Sequence, residues 1–102
     1  MGNVFHAYDH DYEIYVEQIG NMYHVVKKSY TAASPVVLHA YAGKEEAIAS
    51  ARIFPKLHRI AVQRGYQLDG QFFRHSDGRS VHVSFAMEPG MSADRFMKLL
   101  MN

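Results

Sequence analysis

The chain contains no cysteine and no tryptophan, and only three of its 102 residues are proline. Without thiols there is no disulfide, no thiolate nucleophile and no thiolate-bound metal. The missing cysteines also fit a reducing compartment. Long apolar runs are missing too: nothing approaches the roughly eighteen consecutive apolar residues that a membrane-crossing helix needs. The opening stretch MGNVFHAYDHDY lacks the basic and then apolar segments of a secretory leader. The expectation is a cytoplasmic protein with no membrane contact.

Net charge is equally scarce, at +1, too little to name a charged partner. The charge that exists is unevenly placed. Residues 1–26 carry Asp9, Asp11, Glu13 and Glu17 with no lysine or arginine, whereas residues 47–68 carry Arg52, Lys56, Arg59 and Arg64 with no acid. Such patches can steer a charged partner, draw two copies together, or simply mark two solvated faces that differ. At 48% hydrophobic and 21% charged residues the composition is that of a folded globular chain. Its length predicts one domain over 1–102, with residues 1–10 as a polar N-terminal arm.

What is present reads as strands first. In DYEIYVEQIGNMYHVVKKSY two β-rich runs flank Gly20-Asn21, a dipeptide suited to a two-residue hairpin loop. That loop sets Ile19 opposite Met22, Glu17 opposite His24, Val16 opposite Val25 and Glu13 opposite Lys28. Tyr12, Ile14, Val16, Tyr23 and Val25 then share a core face, while Glu13, Tyr15, Glu17, His24 and Lys28 share a wet one. Opposite charges meet across the ladder, which supports the register. TAASP is a loop, VVLHAY (36–41) a third strand, and KEEAIASARIFPKLHRIAVQRG a helix closed by Gly65. Its apolar stripe is Ala47, Ala51, Phe54, Leu57 and Ala61. Pro55 interrupts it and predicts a kink, or two helices meeting there.

A second hairpin is predicted over 71–76 and 80–86, turning at Asp77-Gly78. A final short helix follows, N-capped by Ser92, with Phe96, Leu99 and Leu100 inward. The order β-β-β-α-β-β-α predicts an α+β two-layer sandwich: an antiparallel sheet of about five strands with helices packed on one face.

A two-residue Asp77-Gly78 loop would put Phe72, Val81, Val83 and Phe85 in the core. Phe73, His75, Ser80, His82 and Ser84 would then share the opposite face, with His75 and His82 as diagonal neighbours. Phe73, His75 and His82 are therefore the candidate partner-binding residues. A strand face that merely tolerates histidine and serine would look the same. A metal site there lacks the third or fourth ligand zinc normally requires, so no metal and no cofactor is expected. His6, Asp9, His10 and Asp11 are read as part of the polar arm. Arg52, Lys56, Arg59 and Gln63 recur at helical spacing on one face, and with Arg74 they could follow phosphates; a solvated helix face has the same pattern.

Glu17 opposite His24 is the minimal element of a general base, yet no serine or threonine accompanies it, and a cross-strand ion pair explains it. His58 falls near the apolar stripe as a satisfied boundary histidine. There is no phosphate-binding glycine loop, nucleophile elbow or zinc-protease motif. Met87, Met91, Met97 and Met101 suit either adaptable contacts or an irregular core. The leading expectation is a non-enzymatic protein-binding or regulatory module that self-associates or docks on a larger protein. The alternative is a nucleic-acid binder using Arg52, Lys56, Arg59 and Arg74. The third is a small enzyme or ligand carrier with its pocket between sheet and helix.

Overall fold

Alternation of apolar and polar residues builds the larger of two sheets. The computed structural model describes residues 2–9, 11–31 and 34–101, the side chains of residues 2 and 3 excepted. Strands β1 (Gly2–Tyr8), β2 (Tyr12–Ile19), β3 (Met22–Ser29) and β4 (Val36–Tyr41) pair antiparallel in the order β1-β2-β3-β4. The β2–β3 register is the expected one, with Ile19 opposite Met22, Glu17 opposite His24 and Glu13 opposite Lys28. Tyr12, Ile14, Val16 and Val25 are buried on the inner face. Part of the TAASP loop, and His10, lie outside the described residues.

The N-terminal segment is not an arm. Phe5 and Ala7 of β1 sit opposite Val16 and Ile14 and pack against the core, while His6 and Tyr8 point the other way. The polar run Asp9-His10-Asp11 hid a short alternating stretch that has a ready partner in β2.

Helix α1 (Lys44–Gln63) closes the inner face as one continuous element that includes Pro55, so no pair of helices meets there. Pro55 has no N–H to give the Ala51 carbonyl, but the turns on either side are held by tertiary packing. Ala47, Ser50, Ala51, Phe54, Leu57 and Ala61 are its buried residues. The Tyr41 hydroxyl donates its one proton to the Met87 carbonyl and accepts from the Ser50 hydroxyl at 2.7 Å, so both buried hydroxyls are satisfied.

Strands β5 (Tyr66–Asp69), β6 (Phe72–His75) and β7 (Ser80–His82) form a separate antiparallel sheet in the order β5-β6-β7. The chain is thus an α+β fold with seven strands in two sheets among the described residues, two more strands than expected. The additional ones are β1 and β5. Residues 83–86 leave the sheet as a single helical turn, α2 (Val83–Ala86), and α3 (Ala93–Met101) follows. Ser92 caps α3 by accepting the Arg95 N–H at 3.2 Å, and Phe96 and Leu100 are buried as expected.

The second sheet corrects the expected faces of the hairpin. Phe72 pairs with His82, Phe73 with Val81 and Arg74 with Ser80, one residue away from the expected register. The cause is a three-residue loop, Ser76-Asp77-Gly78: the His75 N–H donates to the Arg79 carbonyl at 2.8 Å and the Gly78 N–H to the His75 carbonyl at 3.0 Å. Gly78 takes φ +100°, the left-handed closing residue such loops require. The slip turns β6 over relative to β7, whose Val81 still packs against the core, as does Val83 beyond it, both as expected. Phe73, expected outside, is fully buried, while Phe85, expected in the core, is 50% exposed.

Phe54 ties the layers together. Its ring centroid lies 6.3 Å from that of Tyr12 on β2 and 6.2 Å from that of Phe73 on β6. The Tyr66 hydroxyl donates to the Leu100 carbonyl at 2.7 Å, and Gln71 Nε2 donates to the Val37 carbonyl at 2.7 Å, linking the small sheet to α3 and to β4.

Truncation distinguishes the two faces. Phe73→Ala should cost about 3–5 kcal/mol of unfolding free energy, whereas Phe85→Ala should stay within about 0.5 kcal/mol of the parent. Urea denaturation of both variants measures this, and the reverse ranking would favour the two-residue loop.

Candidate functional site

The three residues expected to form one contact patch are dispersed. Phe73 belongs to the core. His75 is on the same inner face, its ring 4.9 Å from that of Tyr66 and against Gly65, where an added Cβ would meet Nε2 at 2.8 Å. Gly65 has φ +90°, so glycine is required there on two counts, and His75 locks the end of α1 against β6. His82 is on the outer face instead. Its Nδ1 accepts the Ser84 N–H at 3.1 Å and so caps α2, and its ring meets Phe72 edge-on at 4.9 Å. The expected diagonal His75–His82 pair does not form, because the register shift puts the two rings on opposite faces.

The basic residues are also parted. Arg52, Lys56 and Arg59 do share the exposed side of α1. Arg52 sits 5.3 Å from the Phe5 ring, and Arg59 Nη1 lies 4.0 Å from an Asp9 carboxylate oxygen. Arg74 is elsewhere, on the outer face of the small sheet, bonded to Asp69 at 2.9 Å and stacked on Phe72. Exposed pairs of this kind contribute little stability.

What the fold leaves open is the outer face of the four-stranded sheet. Among the described residues seven large apolar or aromatic side chains are exposed, and four of them, Tyr8, Ile19, Tyr30 and Val37, lie on or at the end of this face. His6 stacks on Tyr8 with centroids 4.8 Å apart and reaches Tyr15 at 5.6 Å. Its Nε2 lies 2.8 Å from Glu13 Oε1. Desolvation, then Glu17 and Glu13, raise the Tyr15 phenol. Val26, in the middle of the face, is only 3% exposed, so neighbouring side chains already form a partly dry surface there. Strand alternation had marked Tyr15 as outward; the full patch was illegible without β1 and the pairing of β4.

A second feature lies at one end of the inner face. The Tyr12 hydroxyl meets His58 Nδ1 at 3.1 Å and also bonds Asp9, so strand, turn and helix converge on one phenol. Burial, then Asp9, raises the Tyr12 pKa. Burial, then Lys27, lowers that of His58, with Asp9 and Asp11 opposing and Arg59 reinforcing the shift. Lys27 Nζ lies 5.4 Å from the Tyr12 ring centroid, and burial lowers its pKa as well. No spacing in the sequence announces a contact between residues 46 positions apart. No group of three or more candidate ligands that could hold a metal ion forms among the described residues. No protein-family model, curated protein or solved structure matches the chain.

The lowered His58 pKa carries a sign. Between its folded and unfolded values the unfolded chain binds more protons, so stability is full above the unfolded value of about 6.5 and is lost as pH falls below it. His58→Gln should flatten this slope, measured as unfolding free energy between about pH 7.5 and 5.5. Identical slopes in the two proteins would show that His58 does not titrate in this way.

Proposed function

We propose that this chain is a protein-binding module that works as a dimer of identical copies, joined through the outer face of the four-stranded sheet. The observation that carries the reading is the concentration of exposed aromatic and aliphatic side chains there, Tyr8, Ile19, Tyr30 and Val37, on the face opposite the one that α1 closes. Exposed apolar surface gathered on one face and rimmed by polar groups marks interaction sites more often than chance exposure does.

The charge pattern favours a second copy as the occupant. Glu13 and Glu17 line β2, and the residues directly opposite them on β3 are Lys28 and His24. A twofold axis along the strands between β2 and β3 would lay each β2 over the partner's β3, setting each copy's acids against the other's bases. Two sheets packed in this way sit about 10 Å apart, a gap that tyrosine and valine side chains fill. The arrangement is isologous, as closed dimers require.

Nucleic acid has less support. Base stacking needs aromatic rings and cations on one surface. Here the exposed tyrosines Tyr8 and Tyr30 lie on the sheet's outer face, which also carries Glu13 and Glu17, while Arg52, Lys56 and Arg59 lie on α1.

Sedimentation equilibrium tests the proposal. The parent chain should dimerise, and Tyr8→Glu or Val37→Glu should weaken the dimer about tenfold or more without lowering the melting temperature. A strict monomer up to about millimolar concentration, or a dimer indifferent to both substitutions, would overturn it.

A further inference from the structure

Beside the Tyr12–His58 contact lies a cleft of about 500 Å³, within the usual size of small-molecule sites. Asp9 and Asp11 flank the β1–β2 turn on one side; Arg59, Val62 and Gln63 come from the last turns of α1 on the other. The Asp11 carbonyl accepts the Tyr30 N–H at 3.1 Å, so the cleft borders the face assigned to self-association at Tyr30; Val37→Glu on β4, which lines no part of the cleft, and Arg59→Gln on α1 test the two separately.

The cleft is chemically divided. With the Tyr12 hydroxyl donating to Asp9, His58 Nδ1–H donates to the Tyr12 oxygen and Nε2 keeps its lone pair. Hydrogen-bond acceptors therefore gather around the turn: two carboxylates and a neutral imidazole. Burial, then Lys27, keeps that imidazole uncharged at neutral pH. Donors gather on the helix. Arg59 is only loosely engaged with Asp9, at 4.0 Å and with 63% of its side chain exposed, so its planar fork can still receive a carboxylate. The Gln63 amide lies one turn further on. Val62, 55% exposed, supplies an apolar wall between them.

We propose that this cleft binds a small zwitterion, a free α-amino acid with an aliphatic side chain. Its ammonium group sits toward Asp11 and Asp9, its carboxylate on Arg59 and Gln63, and its side chain on Val62. A lone amine or a lone carboxylate meets only half of this arrangement. A peptide end presents one charge without the other beside it. The ligand is bound and not transformed.

Three probes of nearly equal shape test this: leucine, isopentylamine (leucine without its carboxylate) and 4-methylpentanoate (leucine without its amine). Each is titrated into uniformly ¹⁵N-labelled protein while the backbone amides and the His58 ring nitrogens are followed by NMR. Leucine should shift Asp11, Tyr12, His58 and Arg59 saturably, and each half-probe should bind about tenfold or more weakly. Arg59→Gln and Asp11→Asn, both exposed positions, should each abolish saturation while leaving the remaining spectrum in place. Equal responses to all three probes, no saturation by leucine, or saturation unaffected by either substitution would overturn the proposal.

Discussion

The structure depends on one helix serving two sheets. The buried stripe of α1 carries Phe54 at its middle, and that ring lies against Tyr12 of the larger sheet and Phe73 of the smaller. Phe73 in turn meets Phe96 of α3 edge-on at 5.6 Å, so every layer reaches the same aromatic cluster. A single amphipathic helix can cover one side of a sheet and no more. Both the core and the uncovered outer face of the four-stranded sheet follow from that geometry.

How much of this was legible in the residues depends on how strongly each turn is specified. The β2–β3 hairpin was readable to the exact pair, because a two-residue Gly20-Asn21 loop, five inward apolar residues and two cross-strand charge pairs all require the same register. The second hairpin offered no such agreement. FFRH places two phenylalanines side by side, so alternation is satisfied whichever one is buried. Only the loop decides, and SDG closes with three residues instead of two. A single residue of loop length therefore turned the expected contact residue, Phe73, into core. The Asp69-Gly70 dipeptide is a turn signal for β5, but residues 66–70, between the predicted helix end at Gly65 and the predicted hairpin at 71, fall in no predicted element. β1 was hidden because its outward partners, His6 and Tyr8, look like the polar residues of an arm.

The two surfaces that emerge do different chemistry. On the outer sheet face Glu13 bonds His6 and acids stand opposite bases across the β2–β3 ladder, so in the proposed dimer these groups would orient the partner while the exposed tyrosines and Val37 supply apolar area. In the cleft the balance is reversed. Charge and hydrogen bonding dominate, and the half-buried Tyr12–His58 contact holds the acceptors in fixed positions. Neither feature has a local sequence motif, since the sheet face draws on four strands and the cleft on β2, the β1–β2 turn and α1. That is why a search for local motifs was silent about what the fold assembles.

The central claim is that the uncovered sheet face is where this protein meets its own kind. The most direct measurement is the dependence of its NMR spectrum on protein concentration. The account predicts that, on dilution, the signals of His6, Tyr8, Tyr15, Val26, Tyr30 and Val37 shift together along one binding curve, while those of the exposed side of α1 stay fixed. A spectrum that does not change with concentration, or changes centred on Arg52, Lys56 and Arg59, would contradict it.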